Sequence, residues 1–233
     1  DVTGVQTCAL PILNGDVDAL LRAMRTVAAM APGSQFAIGH AVAAVAANRP
    51  AEALRTLEQL DPAVGLLHNN PRYWEWLTAS RHLLGQHRRE LSDARAGRTQ
   101  HPRLAASLLQ EIRAAAALGR TGELERLLDE GTALPVEANV SPGDVMRMAA
   151  AELNAHGEPA AAARALDRAI EWYRTRELDA RHRGALARAL YEGERLDEAH
   201  VLFTELAAAQ PDNASHAAYL GMIAARSGRR DEA

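Results

Sequence analysis

Nine histidines are the residues of this chain whose chemistry most directly suggests a metal site or a catalytic base. No two of them form the pair of a helical zinc site, which needs a separation of four residues, because even His82 and His87 are five apart. The chain also lacks the His-Glu-x-x-His motif of zinc proteases, the Gly-x-Ser-x-Gly motif of serine hydrolases and the glycine-rich loops that bind phosphates or dinucleotides. We therefore predict no catalytic residue, no metal ion and no cofactor, and we predict that the chain is not an enzyme.

The single cysteine, Cys8, lies in an N-terminal segment that we interpret as non-native. Residues 2–12 (VTGVQTCALPI) resemble one reading frame of a sequencing-adapter oligonucleotide. Residues 1–12 are accordingly interpreted as an adapter-like leader, and native sequence is expected upstream of Leu13. The alternative is a short tail or part of a signal peptide, but no basic residue precedes the short apolar run at 9–12. We expect no intrachain disulfide and no cysteine-ligated metal.

Charge and hydropathy exclude two classes of partner. All 26 basic residues are arginine, 30 residues are acidic, and the formal net charge is −4. This balance gives no general electrostatic reason to bind nucleic acid or an anionic membrane. The longest apolar candidate, 36–47, is interrupted by His40 and is shorter than the roughly 20 residues that span a bilayer. We predict a cytoplasmic protein that inserts into no membrane and binds no nucleic acid.

The apolar residues of the predicted helices, which position the polar side chains, recur every 34 residues. The residues Leu186, Ala187, Leu190 and Ala199 are followed 34 positions later by Leu220, Gly221, Ala224 and Ala233. Apolar residues recur at helical spacing, alanine is abundant and aromatic residues make up only 4% of the chain. The period predicts an all-α chain in which helix-turn-helix hairpins stack into a solenoid.

The pattern also predicts where the hairpins lie. We expect hairpins over 13–131, a linker at 132–141, and further hairpins over 142–233 that are truncated at Ala233. Ser34 and Ser141 are placed to cap helices, and Asn48, Gly85 and Gly157 are placed at turns. The 37-residue step from Ala162 to Ala199 predicts three extra residues between Ala169 and Leu186, in the second helix of that hairpin or in its exit loop.

These residues resemble tetratricopeptide repeats. The family pairs a Trp-x-x-Leu-Gly-x-x-Tyr helix with a second helix that carries a small residue, an aromatic residue and an exit proline. The matching residues are Trp74; Leu77, Leu186 and Leu220; Gly221; Ala53, Ala162, Ala199 and Ala233; Phe203; and Pro102 and Pro211. Many positions depart from the pattern, including Arg183 and Ala217 where the family has Trp. The resemblance implies a right-handed α-α superhelix of about five to six hairpins, with Trp74 in the core and Trp76 partly exposed.

The resemblance further implies that the first helices of the hairpins line a concave face where a protein or peptide partner binds. Helical periodicity then gives the candidate partner-binding residues, which are Arg72, Glu75, His82, Asp144, Arg147, Asn154, Arg181, Arg188 and Tyr191. Arginines on this face suit an acidic or C-terminal peptide, because a guanidinium binds a carboxylate through two hydrogen bonds. The family's lysine-dependent carboxylate clamp is not expected, since the chain contains no lysine. The alternative for each residue is an ordinary solvated helix face.

Three functional interpretations remain open. The first is a non-catalytic binding module for a peptide or a partner domain. The second is the regulatory repeat region of a larger bacterial signalling enzyme, such as a Ser/Thr kinase, or of a transcriptional activator, which the segment from Arg72 to Pro102 resembles in a general way. The third is a scaffold that self-associates through exposed apolar ends of the array.

Overall fold

A computed structural model of the chain describes residues 16–31, 34–134 and 140–228. Within these ranges it contains twelve α-helices, one short 3₁₀ helix at Gly65–Leu67 and no strand. The helices are α1 Val17–Met30, α2 Gln35–Ala46, α3 Pro50–Leu57, α4 Pro71–Leu83, α5 His87–Gln100, α6 Ala105–Ala117, α7 Thr121–Thr132, α8 Pro142–Ala155, α9 Pro159–Arg174, α10 Ala180–Glu192, α11 Leu196–Ala209 and α12 Ala214–Arg226. The predicted all-α class is confirmed.

Side chains that the sequence places at helix starts do cap them. The hydroxyl of Ser34 accepts from the backbone N–H of Phe36, and Ser141 forms a full capping box with Asp144 at the start of α8. Such caps satisfy backbone donors that the first turn of a helix leaves unpaired. The predicted capping roles of Ser34 and Ser141 are therefore confirmed.

Four hairpins, α2–α3, α4–α5, α8–α9 and α10–α11, turn in the same way. A backbone N–H just after the turn donates to a carbonyl five residues earlier; these bonds are Arg49 to Ala44, Gln86 to Arg81, Glu158 to Leu153 and Arg195 to Leu190, at 2.8–2.9 Å. The residue before each donor has a positive φ, as this type of helix ending requires. Those residues are Asn48, Gly85, Gly157 and Glu194, with φ of 57°, 67°, 82° and 58°. The turns predicted at Asn48, Gly85 and Gly157 are confirmed.

The chain divides into two compact units, Asp1–Leu118 and Gly119–Ala233. In the first unit, buried apolar side chains from α1 to α4 form a continuous core that includes Trp74 and Leu77. Trp74 is 8% exposed, and its indole N–H donates to Oε1 of Gln100 at 3.1 Å. Its ring lies against the backbone of α5 at Gly97, where an added Cβ would be 2.7 Å from the Trp74 Cγ. The predicted core position of Trp74 is confirmed, and Trp76 is partly exposed as predicted.

In the second unit, the two helices of the α8–α9 hairpin pack through alanine side chains. Ala149, Ala162, Ala165 and Ala169 are fully buried or nearly so, which lets α8 and α9 approach closely. The predicted three-residue slip is present. Helix α9 has 16 residues against 14 in α11, and the connection that follows it, 175–179, is one residue longer than the connection 210–213.

Some sequence expectations lie outside the described residues. These are the leader 1–12, the linker positions 135–139 and the chain end at 231–233. The division at 132–141 stays a prediction. In the described part of the chain, no helix combines the length and the apolar character that crossing a membrane requires.

Candidate functional site

An open cleft in the first unit contains one of the candidate arginines. The cleft has a volume of about 260 Å³ and lies between α2 and the start of α4, which are the first helices of adjacent hairpins. Phe36, Ile38, Gly39 and Val42 supply its apolar wall, and Asn70 and Arg72 supply its polar end. Phe36 is 51% exposed, which is unusual for a large aromatic side chain.

The start of α4 fixes the backbone at Arg72 and leaves its side chain available. The side-chain oxygen of Asn70 accepts from the backbone N–H of Arg72 at 3.1 Å, and Pro71 occupies the first helical position. The Arg72 side chain is exposed and forms no ion pair with any residue that the structure describes. Glu75, one turn later on the same helix, is also exposed. The cleft therefore combines apolar walls with one cation that no described residue compensates, and Glu75 lies one turn away on the same helix.

In the second unit, two candidate residues pair with each other. Asp144 is 8% exposed, and its carboxylate accepts from the backbone N–H of Ser141 at 3.0 Å and from the Tyr173 hydroxyl at 2.9 Å. Arg181 on α10 adds an ion pair at 3.4 Å. Burial acts to raise the pKa of Asp144, but the hydrogen bonds from Ser141 and Tyr173 and the charge of Arg181 outweigh it and lower the pKa. Asp144 is thus an ionised group that holds the start of α8.

Arg147 and Arg188 differ in whether a carboxylate of the described residues pairs with their guanidinium group. Nη1 of Arg147 on α8 donates to Oε1 of Glu192 on α10 at 2.8 Å, so this guanidinium is compensated within the protein. Arg188, half-buried on α10, has no ion-pair partner among the residues that the structure describes. Of the four candidate arginines, Arg72 and Arg188 are therefore those that have no carboxylate partner within 16–31, 34–134 and 140–228.

Tyr191 and Asn154 lie near the C-terminal ends of α10 and α8. The ring of Tyr191 packs edge-on against Tyr219 of α12 at 5.4 Å, and the guanidinium of Arg226 lies 4.7 Å from its centre. Tyr191 thus joins α10 to α12 and is half-buried. Asn154, near the end of α8, is exposed. The role of all nine candidate residues as partner contacts stays a prediction.

Sequence reasoning missed a cluster of two histidines and a glutamate in the first unit. His82 near the end of α4 and His87 at the start of α5 both have Nδ1 within hydrogen-bonding distance of Glu90, at 3.0 and 3.1 Å from Oε2. Nε of Arg113 donates to Oε1 at 2.9 Å. Burial acts to raise the pKa of Glu90, but the hydrogen bond with His82 and the charge of Arg113 prevail and lower it. The available signal was two histidines on either side of the Gly85 turn, which brings helix ends together.

A second histidine network is centred on a fully buried ring. His40 is fully buried, with Nδ1 2.9 Å from the Thr56 hydroxyl and Nε2 3.2 Å from Oε1 of Glu52. Burial lowers the pKa of His40, and this favours a neutral imidazole. The same three residue types occur in catalytic triads, but here the hydroxyl lies at Nδ1 and the carboxylate at Nε2, the reverse of the triad arrangement, and a substrate does not reach a wholly buried ring. We interpret this network as packing between α2 and α3.

Comparison with known proteins gives similarity of fold. No protein-family model matches the chain. No curated protein matches it either. The chain is 12% identical to a chain of the APC/C hetero-tetramer Cut9–Hcn1 over 92% of its own length and 41% of that chain, with a TM-score of 0.50. At this identity the similarity concerns the fold alone.

Two solved tetratricopeptide-repeat proteins are similar at lower scores. One is a thermophilic protein from Thermus thermophilus, at 18% identity over 81% of this chain and 97% of that one, with a TM-score of 0.47. The other comes from Parabacteroides merdae, at 12% identity over 95% of this chain and 97% of that one, with a TM-score of 0.48. Together with the four identically closed hairpins, the Cut9–Hcn1 match confirms the predicted tetratricopeptide-type repeat fold.

Proposed function

We propose that the chain is a non-catalytic protein-interaction module that binds a peptide carrying a carboxylate next to an apolar side chain. The observation that carries this proposal is the Arg72 guanidinium, which has no ion-pair partner in the described part of the chain, at the polar end of the apolar cleft between α2 and α4. A repeat array with this fold offers adjacent first helices as a binding surface. The partner's carboxylate is an acidic side chain or a free C terminus.

The chemistry of the cleft suits this ligand. A guanidinium binds a carboxylate through two parallel, charge-assisted hydrogen bonds. The exposed ring of Phe36 and the side chains of Ile38 and Val42 provide apolar area beside it. A volume of about 260 Å³ accommodates one or two side chains of an extended peptide, and the rest of the peptide would lie along the helices. Glu75 would disfavour a second acidic side chain one helical turn from the anchor.

In the second unit, Arg188 is the candidate anchor. Arg147 and Arg181 already pair with Glu192 and Asp144, so reversing their charge would break contacts inside the protein and confuse the result. Arg188→Glu breaks no ion pair among the described residues. It is therefore the cleaner test of that face.

The proposal is tested with a library of random peptides with free C termini, selected on the full chain. We expect the selected peptides to carry a carboxylate beside an apolar residue and to bind more weakly as salt rises. Arg72→Glu should weaken a selected peptide about 10- to 100-fold, since a hydrogen bond to a charged group contributes about 1.5–3 kcal/mol. Arg55→Glu is the matched control, because Arg55 is exposed on the second helix α3. Selection without any preference for carboxylates, or equal losses in both variants, would contradict the proposal.

Other expectations from the sequence stay proposals beside this one. They are the regulatory repeat region of a bacterial kinase or activator, self-association through the ends of the array, and a cytoplasmic location. The first is the alternative function, and it is supported only by the general resemblance of the segment from Arg72 to Pro102. A kinase or activator domain adjacent to Leu13 in an independently assembled gene would support it.

A further inference from the structure

One of the four hairpins departs from the others at three positions next to its turn. Four residues after each turn donor, three hairpins carry a buried alanine, which is Ala53, Ala162 or Ala199. The equivalent residue of α4–α5 is Glu90, whose side chain is 0% exposed. A buried carboxylate in place of a small packing residue is costly unless other groups compensate for it.

The same hairpin supplies the compensating groups at two further equivalent positions. The residues equivalent to His82 are Val45, Asn154 and Tyr191, and those equivalent to His87 are Pro50, Pro159 and Leu196. Within these hairpins, therefore, only α4–α5 carries histidine at either position. The three departures meet at one point, because both Nδ1 atoms lie near Oε2 of Glu90. Arg113 binds the other carboxylate oxygen.

We infer that His82, His87 and Glu90 form a binding site for a divalent transition metal ion of the Zn²⁺ type. Zinc–nitrogen and zinc–oxygen bonds of about 2.0–2.2 Å at tetrahedral angles place two donor atoms about 3.3 Å apart. The His82 and His87 nitrogens lie 3.0 and 3.1 Å from Oε2, within a few tenths of an ångström of that value. One ligand atom from each of the three residues lies within 4.8 Å of the other two. Two imidazoles and one carboxylate form a ligand set that zinc uses in proteins.

The surroundings of the cluster provide an entry path and an orienting contact. His87 borders a shallow pocket of about 400 Å³, together with Gly85 and Leu118. The side chains of His82 and His87 are 19% and 22% exposed, so the ion reaches them from solvent. The Arg113 guanidinium holds Oε1 and leaves Oε2 facing the two rings, as an outer-shell partner does in known metal sites.

The charges around the cluster favour one class of ion over another. Arg88 and Arg89 line the pocket next to His87, and Arg113 contacts Glu90, so three arginines lie on the elements that carry or border the cluster. Ca²⁺ and Mg²⁺ depend on several oxygen ligands and would bind poorly here. An ion held through neutral imidazoles depends less on negative charge. The arginines also suit an anion or hydroxide as the fourth ligand.

The competing interpretation is a hydrogen-bonded network that only stabilises Glu90. Calorimetric titration with Zn²⁺ distinguishes the metal site from this network. The protein is the untagged full chain, freed of metal with a chelator, and it carries Cys8→Ser so that the thiol does not bind zinc. We expect one Zn²⁺ per chain. His87→Asn and Glu90→Gln should each weaken binding at least about ten-fold, whereas the control His200→Asn, on α11, should leave it unchanged.

His87→Asn is the decisive variant. His87 is partly exposed and is the first residue of α5, so its replacement buries no new polar group. The circular dichroism spectrum of this variant should therefore match that of the parent. Co²⁺ provides a second measurement, because tetrahedral Co²⁺ has strong visible absorption bands. These bands should appear with one equivalent of Co²⁺ and be lost in His87→Asn. Failure to bind one equivalent of Zn²⁺, or binding that His87→Asn leaves unchanged, would overturn the inference. Neither result depends on the peptide cleft at Arg72.

Discussion

The packing of Trp74 on Gly97 predicts opposite effects for the same substitution at two helical glycines. A Cβ at Gly97 would lie 2.7 Å from Cγ and 2.8 Å from Cβ of Trp74. The indole cannot withdraw easily, because it is 8% exposed, donates to Gln100 and packs edge-on against Tyr73 at 5.0 Å. At Gly221, in α12, an added Cβ meets no atom within 4 Å among the described residues, apart from its chain neighbours and the backbone of its own helix. The two sites therefore separate steric cost from helix propensity.

The magnitudes follow from these contacts. Alanine is more favourable than glycine inside a helix by about 0.5–1 kcal/mol. Gly221→Ala should therefore raise the free energy of unfolding by that amount. At Gly97 the overpacking cost of about 1–3 kcal/mol exceeds the gain, so Gly97→Ala should lower the free energy of unfolding by about 1–2 kcal/mol.

The assay is urea unfolding followed by circular dichroism on the two single variants. A double variant of Gly97→Ala and Trp74→Leu provides the internal check. With the smaller Leu side chain at position 74, the added methyl group should cost less than it does in the parent. If Gly97→Ala stabilises the chain as much as Gly221→Ala does, the packing of Trp74 on α5 is refuted.

Two further predictions concern the cores of the two units. Trp74→Ala should lower the free energy of unfolding by about 3–5 kcal/mol, and a variant with unchanged thermal stability would exclude a core position for Trp74. The pKa of Asp144 is lower in the folded state than in the unfolded state. The ionised carboxylate therefore contributes its full stabilisation above the unfolded pKa of about 3.9, and this contribution is lost as the pH falls through the pKa of the folded state. Asp144→Asn should therefore be less stable than the parent at neutral pH, by a difference that shrinks in acid; a difference independent of pH would contradict this.

Features that depend on neighbouring residues were predictable from the sequence. Ser34 and Ser141 cap helices, and Gly85 and Gly157 turn hairpins, because caps and turns are decided within a few residues. The 34-residue period then indicated the repeat fold, since each hairpin buries the same face against the next one. Even the three-residue slip between two repeats was visible in the spacing of Ala162 and Ala199.

Features that depend on contacts between distant residues were not predictable. Arg147 pairs with Glu192 and Arg181 with Asp144, which lie 45 and 37 residues away in the sequence. Helical periodicity placed these side chains on one face but did not give their partners, so it could not separate compensated arginines from Arg72 and Arg188. The burial of Glu90 was missed for the same reason. Its partner Arg113 lies 23 residues later in the sequence, on the following helix α6.

The most direct test of the proposed binding function is to map a selected carboxylate-bearing peptide onto the ¹⁵N-labelled chain by NMR. We predict that backbone amide signals of Gly39, Val42, Asn70 and Arg72 shift on titration, and that Arg72→Glu abolishes these shifts while Arg55→Glu preserves them. Peptide-induced shifts that leave the cleft between α2 and α4 untouched would contradict the account.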